Sequence, residues 1–216
     1  MNENGSPDPE REMLAKRHRK SSPFTQIFRI TCLKSGRRLS CESHHERDYI
    51  QFLGTDSDVV SCVTELESVV AGRYRYTPDI AQLMTDGSLV YIEIKSDQTA
   101  DDPKFKQKFA DKVAFYANHG SELRLVRRSD FPGDDYMTNM KTLHIYATGE
   151  PPLQAEIDMF DRLLKPGEEA LLCTLTASMS KQRMTSHAIW YALAKGLCST
   201  NLHKPITDYS MISREE

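Results

Sequence analysis

"YTPDIAQLMTDGSLVYIEIK", residues 76–95, is two runs rich in β-branched and aromatic residues on either side of Asp86-Gly87, the pattern of a β-hairpin. Side chains alternate along a strand, so Val90, Ile92 and Ile94 share one face while Tyr91, Glu93 and Lys95 share the other. The position of Asp79 depends on the turn. A two-residue Asp86-Gly87 loop would set Asp79 opposite Ile94, on the wrong face. A three-residue Thr85-Asp86-Gly87 loop, with Gly87 left-handed in a G1 bulge, is the expected alternative. That loop is read as pairing Met84 with Leu89 and setting Asp79 directly across from Glu93.

Facing residues on paired strands have Cβ atoms roughly 4.5–5.5 Å apart, and like charges there repel, so a cation is expected between the two acids. Two carboxylates, the Ile94 backbone carbonyl and water make a hard-oxygen cage suited to Mg²⁺ or Mn²⁺. Lys95, on the Glu93 face, can orient an attacking water or meet charge developing on a phosphorane. A solvated polar face would carry the same letters, because Pro-Asp followed by Glu-x-Lys is a loose pattern. The apolar alternation beneath the acids, the register, and a third acid upstream favour chemistry.

That third acid is Glu46. In "SHHERDYIQFLG", Ser43 followed by Glu46 is a capping box, and Tyr49, Ile50 and Leu53 fall at helical spacing before Gly54. Glu46 is therefore expected in the first turn of a short helix, where it could bind a second metal or its water. The adjacent His44 and His45 are read as packing or surface residues, since hard cations prefer oxygen. Upstream, "TQIFRITCLK" reads as a strand and "SGRR" as a turn.

Downstream, "PKFKQKFADKVAFYANHG" carries Phe105, Phe109, Val113 and Tyr116 as one apolar stripe, with Pro103 at its start and Gly120 past its end. Lys104, Lys108 and Lys112 recur every four residues, either as a phosphate-tracking row or as a solvated helix face. "SELRLVRR" is another strand. The order of elements gives a mixed α/β domain over residues 24–148, after a polar tail expected to be disordered over 1–23. Beyond "TGEPP", residues 149–216 offer three helical segments and a strand-like end, the outline of a small winged-helix-like unit. Trp190, Tyr191 and the methionines of this region are expected in its core.

Of the 216 residues, 39% are hydrophobic and 27% charged, as in a soluble globular protein. No apolar stretch suits a membrane span or a secretory leader near residue 1, so a cytoplasmic protein is expected. The five cysteines are scattered and form no C-x-x-C pair, which points to reduced thiols and to neither zinc nor a disulfide framework. Net charge is −3, yet residues 1–38 carry nine bases and four acids. A nucleic-acid binder working alone usually shows a basic face, so the acidic remainder suggests that DNA affinity is supplied partly by a partner.

Asp79, Glu93 and Lys95, with Glu46 upstream, resemble the core of the PD-(D/E)XK nucleases. More narrowly, "CESHHERDYIQFLGTDSDVVSCVTE", "RYRYTPDI" and "YIEIK" are similar to motifs of the TnsA-type endonuclease subunit of heteromeric transposases. The similarity spans about residues 34–128, and "ALAKGLCSTNLHKPITDYSMI" is similar to the end of that family's winged-helix domain. The chain departs from the family pattern at His45, where Leu is frequent, and at Glu65-Leu66, where Gln-Pro is frequent. The resemblance implies a restriction-endonuclease-like fold and a metal-dependent endonuclease that cuts double-stranded DNA at the 5′ ends of a transposon. It implies two partners, a recombinase-like transposase subunit that handles the 3′ ends and an ATPase regulator, in a prokaryotic cytoplasm and at the nucleoid when active. Two alternatives stand beside it: a stand-alone restriction-like or phage nuclease, and a non-catalytic adaptor on the same fold.

Overall fold

Val, Ile, Leu and Tyr alternate through the segments that pair, and the computed structural model, which describes residues 26–71 and 74–215, arranges four of them as a mixed sheet. The expected polar tail over residues 1–23 lies outside the described residues. The sheet consists of β3 (Val59–Val63), β6 (Ile80–Met84), β7 (Leu89–Lys95) and β8 (Glu122–Arg127), in the order β3-β6-β7-β8. β3, β6 and β7 are antiparallel neighbours, and β8 lies parallel to β7. A parallel pair needs a crossover, here made by α2 (Asp97–Asp101) and α3 (Pro103–Asn118).

Three smaller elements complete this unit. β1 (Phe28–Thr31) pairs with β2 (Arg38–Cys41), a strand the sequence had not separated from the turn, and β4 (Val69–Ala71) pairs with β5 (Tyr74–Tyr76). α1 (His44–Leu53) takes Ser43 as its N-cap, as expected, with Ser43 Oγ accepting from the Glu46 N–H at 3.1 Å, but the reciprocal bond is shifted by one residue: Glu46 Oε2 accepts from the Glu42 N–H at 2.9 Å. His44 packs on Phe28 with ring centroids 4.3 Å apart, and His45 meets Phe131 edge-on.

The hairpin differs from expectation by one pairing. Gly87 is left-handed, with φ +83°, and its N–H donates to the Met84 carbonyl. Leu89 pairs with Leu83, however, while the Met84 N–H donates to the Ser88 carbonyl. Counting back from Leu83↔Leu89 brings the last pair to Ile80↔Ile92. Asp79 and Glu93 are then the next residues along, so the facing acids follow from the three-residue loop even though Met84 does not pair with Leu89.

The helix α3 is rotated relative to its expected stripe. Phe105 and Phe109 are half-buried and Tyr116 is buried, but Val113 is exposed and Lys112 takes the inward position. Residue 112 lies seven after Phe105 and four before Tyr116, which suits a 3.6-residue turn as well as 113 does.

The chain divides into two compact units between Phe131 and Pro132, whereas the sequence suggested a break after residue 148. The reason is α4 (Asp134–Thr148), whose buried Met137, Met140, Leu143 and Ala147 belong to a helix that packs with α7 (His187–Ala194). The second unit also contains α5 (Gln154–Leu163), α6 (Leu172–Lys181) and an antiparallel pair, β9 (Glu169–Leu171) with β10 (Met211–Ser213). Met179, Ile189 and Ile212 lie in its core, with Trp190 packed against it and stacked on Tyr146 at 5.6 Å. The buried Asn139 side chain on α4 donates to the carbonyls of Leu202 and Lys204 and accepts from the Ile206 N–H, fixing the segment before β10.

All five cysteines are free thiols, four of them buried, and Cys32 Sγ lies 3.2 Å from Cys62 Sγ. Among the described residues no helix is long and apolar enough to cross a membrane.

Candidate functional site

Asp79 stands just before β6, where the ladder ends. Its N–H donates to the Ile92 carbonyl at 2.9 Å, and its Oδ2 accepts from the Ile94 N–H at 2.8 Å. The side chain thus satisfies a backbone donor that the ladder no longer serves, and this bond turns the carboxylate toward β7. Glu93 comes from the middle of β7, where alternation sends it to the Asp79 side.

Lys95 joins them. Its Nζ lies 2.8 Å from Glu93 Oε1 and 3.4 Å from Asp79 Oδ2, and it donates to the Ile94 carbonyl at 3.0 Å. The sequence required a cation between two facing acids. In the structure that cation is the ammonium of Lys95, in contact with each of the three oxygens expected to hold a metal.

Glu93 does not stand on the solvated polar face that would carry the same letters. Glu93 is only 5% exposed. The Tyr76 hydroxyl donates to Glu93 Oε2 at 2.5 Å, and Lys112 Nζ approaches Glu93 Oε1 at 3.9 Å. The same ammonium sits 3.8 Å above the centroid of the Tyr76 ring, whose edge meets Tyr116. Burial, then the Glu93 charge, pushes the Tyr76 phenol far up, which keeps it a donor.

Electrostatics follow from this crowding. Burial pushes the Asp79 carboxyl up, Lys95 and the Ile94 N–H pull it down, and Glu93 and Glu46 push it up again, leaving it raised to about 6. Burial alone would lower the Lys95 ammonium, but Asp79 and Glu93 outweigh it and the net shift is upward. For Lys112 burial prevails over the attraction of Glu93, and the ammonium is lowered.

Glu46 adjoins Asp79 across a shared cavity. Both line a cavity of about 140 Å³ together with Glu42, Glu65, Thr77 and Pro78. Glu65 is left-handed there, with φ +60°, which is uncommon for a residue with a side chain. Glu46 is engaged in its own helix cap, accepting from the Ser43 hydroxyl at 2.8 Å as well as from the Glu42 N–H. Asp79, Glu93, Lys95 and the Ile94 carbonyl therefore meet at one point, and Glu46 is drawn to the adjoining cavity. Among the described residues no group of three His, Cys, Asp or Glu side chains stands at metal-holding spacing.

Sequence reasoning missed Tyr76 and misassigned Lys112. Tyr76 ends the strand before the Asp79 loop and lies within "RYRYTPDI", but nothing in that motif gave it a role. Lys112 could have been separated from Lys104 and Lys108 by its helical phase, since it shares the Phe105, Phe109 and Tyr116 face.

Comparison with models of protein families and with curated proteins finds no match for this chain.

Proposed function

We propose that this chain is a divalent-metal-dependent DNA endonuclease, the subunit of a transposase that hydrolyses the 5′ strand at transposon ends. The observation that carries this reading is the convergence of Asp79 Oδ2, Glu93 Oε1 and the Ile94 carbonyl on a single cation position. All three donors are hard oxygens, which fits Mg²⁺ or Mn²⁺ and not a thiolate- or imidazole-seeking metal.

Asp79 and Glu93 would hold the ion, with the Ile94 carbonyl as third donor and Glu46 reached through water. The bound ion would lower the pKa of a water and neutralise phosphate oxygens. Lys95, once released from the carboxylates, is left beside them to hold the attacking water or the phosphorane charge. Asp79, raised to about 6, is ionised at neutral pH and so available as a ligand.

The mixed sheet with a parallel β7–β8 pair supports a restriction-endonuclease-like core, and four helices with the β9–β10 pair support a winged-helix-like second unit. Double-stranded DNA, a recombinase-like subunit and an ATPase regulator are the partners this reading assigns, in the cytoplasm and at the nucleoid.

The test is cleavage of transposon-end DNA in Mg²⁺, with and without candidate partner subunits, comparing wild type with Glu93→Ala. Partner-dependent 5′-strand cutting that Glu93→Ala abolishes is expected. Efficient nicking of naked DNA by the chain alone would favour a stand-alone nuclease. Transposition unaffected by Asp79→Ala would leave only an adaptor role.

A further inference from the structure

We propose that Tyr76 is a positioning residue for the metal-binding carboxylate: its hydroxyl holds Glu93 by Oε2 and thereby presents Oε1 to the cation position beside Asp79. The proposal rests on the nuclease reading above and adds a residue that no part of that reading requires.

A glutamate's terminal torsion is broad and roughly two-fold, so a carboxylate at the middle of a strand does not by itself choose which oxygen it offers. Here the two oxygens are sorted. Oε2 accepts from the Tyr76 hydroxyl at 2.5 Å, while Oε1 faces Lys95 at 2.8 Å and Lys112 at 3.9 Å. A hydrogen bond to an ionised acceptor is about twice as strong as a neutral one, and this one is buried. The tyrosine that makes it is itself held. It ends β5, which pairs with β4 and not with the main sheet, its ring meets Tyr116 edge-on at 6.2 Å, and Lys112 covers its face at 3.8 Å.

Ligand-orienting hydrogen bonds of this kind are commonly worth 10- to 100-fold in metal affinity. Lys112 acts in the opposite direction. Its ammonium lies against the oxygen that the metal would use, so it competes with the ion for Oε1 as Lys95 does. The two neighbours of Glu93 are thus expected to shift metal affinity with opposite signs, which damage to a shared core would not do.

The experiment measures Mn²⁺ binding by electron paramagnetic resonance on the full chain, with Mg²⁺-dependent cleavage in the partner-supplemented assay. Tyr76→Phe keeps the ring and removes the hydroxyl. It is expected to weaken Mn²⁺ binding about tenfold and to raise half-saturating Mg²⁺ by a similar factor, with the rate at saturating Mg²⁺ within about twofold of wild type. Lys112→Met is expected to bind Mn²⁺ several-fold more tightly, roughly the effect of removing one nearby like charge. In a Glu93→Gln background, Tyr76→Phe should change Mn²⁺ binding no further, because the group it orients is gone. Wild-type affinity in Tyr76→Phe, or a loss of similar size in both single variants, overturns the positioning role while leaving the nuclease reading intact. A wild-type chain that neither binds Mn²⁺ nor cuts DNA with its partners overturns both.

Discussion

The Lys95 ammonium stands 2.8 Å from Glu93 Oε1 and 3.4 Å from Asp79 Oδ2, and the same nitrogen donates to the Ile94 carbonyl at 3.0 Å. An ammonium therefore fills the position a divalent ion would need, and the two compete for it. Lys95→Met leaves two carboxylates facing each other without their counterion. Because the lysine side chain is 28% exposed, the metal-free loss of stability is expected at roughly 1–3 kcal/mol, below that of a fully buried pair. Mn²⁺ binding should tighten while cleavage falls by at least about 100-fold, the size expected when a group stabilising transition-state charge is removed. Calorimetric titration beside a cleavage assay checks this, and weaker Mn²⁺ binding in the variant would show that no competition exists.

Asp79 gives a pH dependence whose sign is fixed by its raised pKa. Its folded value of about 6 lies above the unfolded value, so the native state binds the proton more tightly. The corresponding stability is fully present below about pH 4 and is lost as pH rises through about 6. Asp79→Asn has no charge to lose. In EDTA the stability difference should move in favour of the variant by roughly 1–3 kcal/mol between pH 4 and pH 7. Urea denaturation at the two pH values measures the change, and a constant difference would count against the raised carboxyl.

Ser43 and Glu46 separate a structural role from a chemical one. Ser43 Oγ accepts from the Glu46 N–H, and Glu46 accepts from the Glu42 N–H and the Ser43 hydroxyl. Ser43→Ala should cost about 0.5–2 kcal/mol as a lost helix cap. Glu46→Gln keeps a side-chain acceptor for the Glu42 N–H, so its melting temperature should stay near wild type while cleavage drops by at least about tenfold if water on the metal is lost. Equal activity of Glu46→Gln and wild type would restrict Glu46 to capping.

Gly87 sets the register that brings the acids together. It is left-handed, and a Cβ placed on it would meet nothing within 4 Å, so Gly87→Ala is penalised by conformation and not by a clash. The expected loss is about 1–2 kcal/mol, with Gly87→Asn milder because Asn tolerates the left-handed region. Thermal melts of the two variants provide the check, and an alanine variant as stable as wild type would mean the loop does not need that conformation.

Local signals carried much of this protein. The Ser43 helix cap, the α3 boundaries near Pro103 and Gly120, and the turn at Gly87 are effects within a few residues, and each is where the sequence placed it. The α4 helix is legible too, since Met137, Met140, Leu143 and Ala147 recur at helical spacing, yet the domain expected over residues 24–148 runs across it.

By itself the sequence narrowed Asp79 to two positions, opposite Ile94 with a two-residue loop or opposite Glu93 with a three-residue one, and the left-handed Gly87 with the Leu83↔Leu89 register selects the second. It also determined that those acids would need a cation. Only the tertiary structure decided which cation answers them: Lys95 from the same strand, with Lys112 turned inward by the phase of α3, and Tyr76 brought from a separate strand pair to hold Glu93 Oε2. The Tyr76 contact joins residues 17 positions apart and the Lys112 contact depends on helix rotation, and packing between elements fixes such relations where no local spacing can.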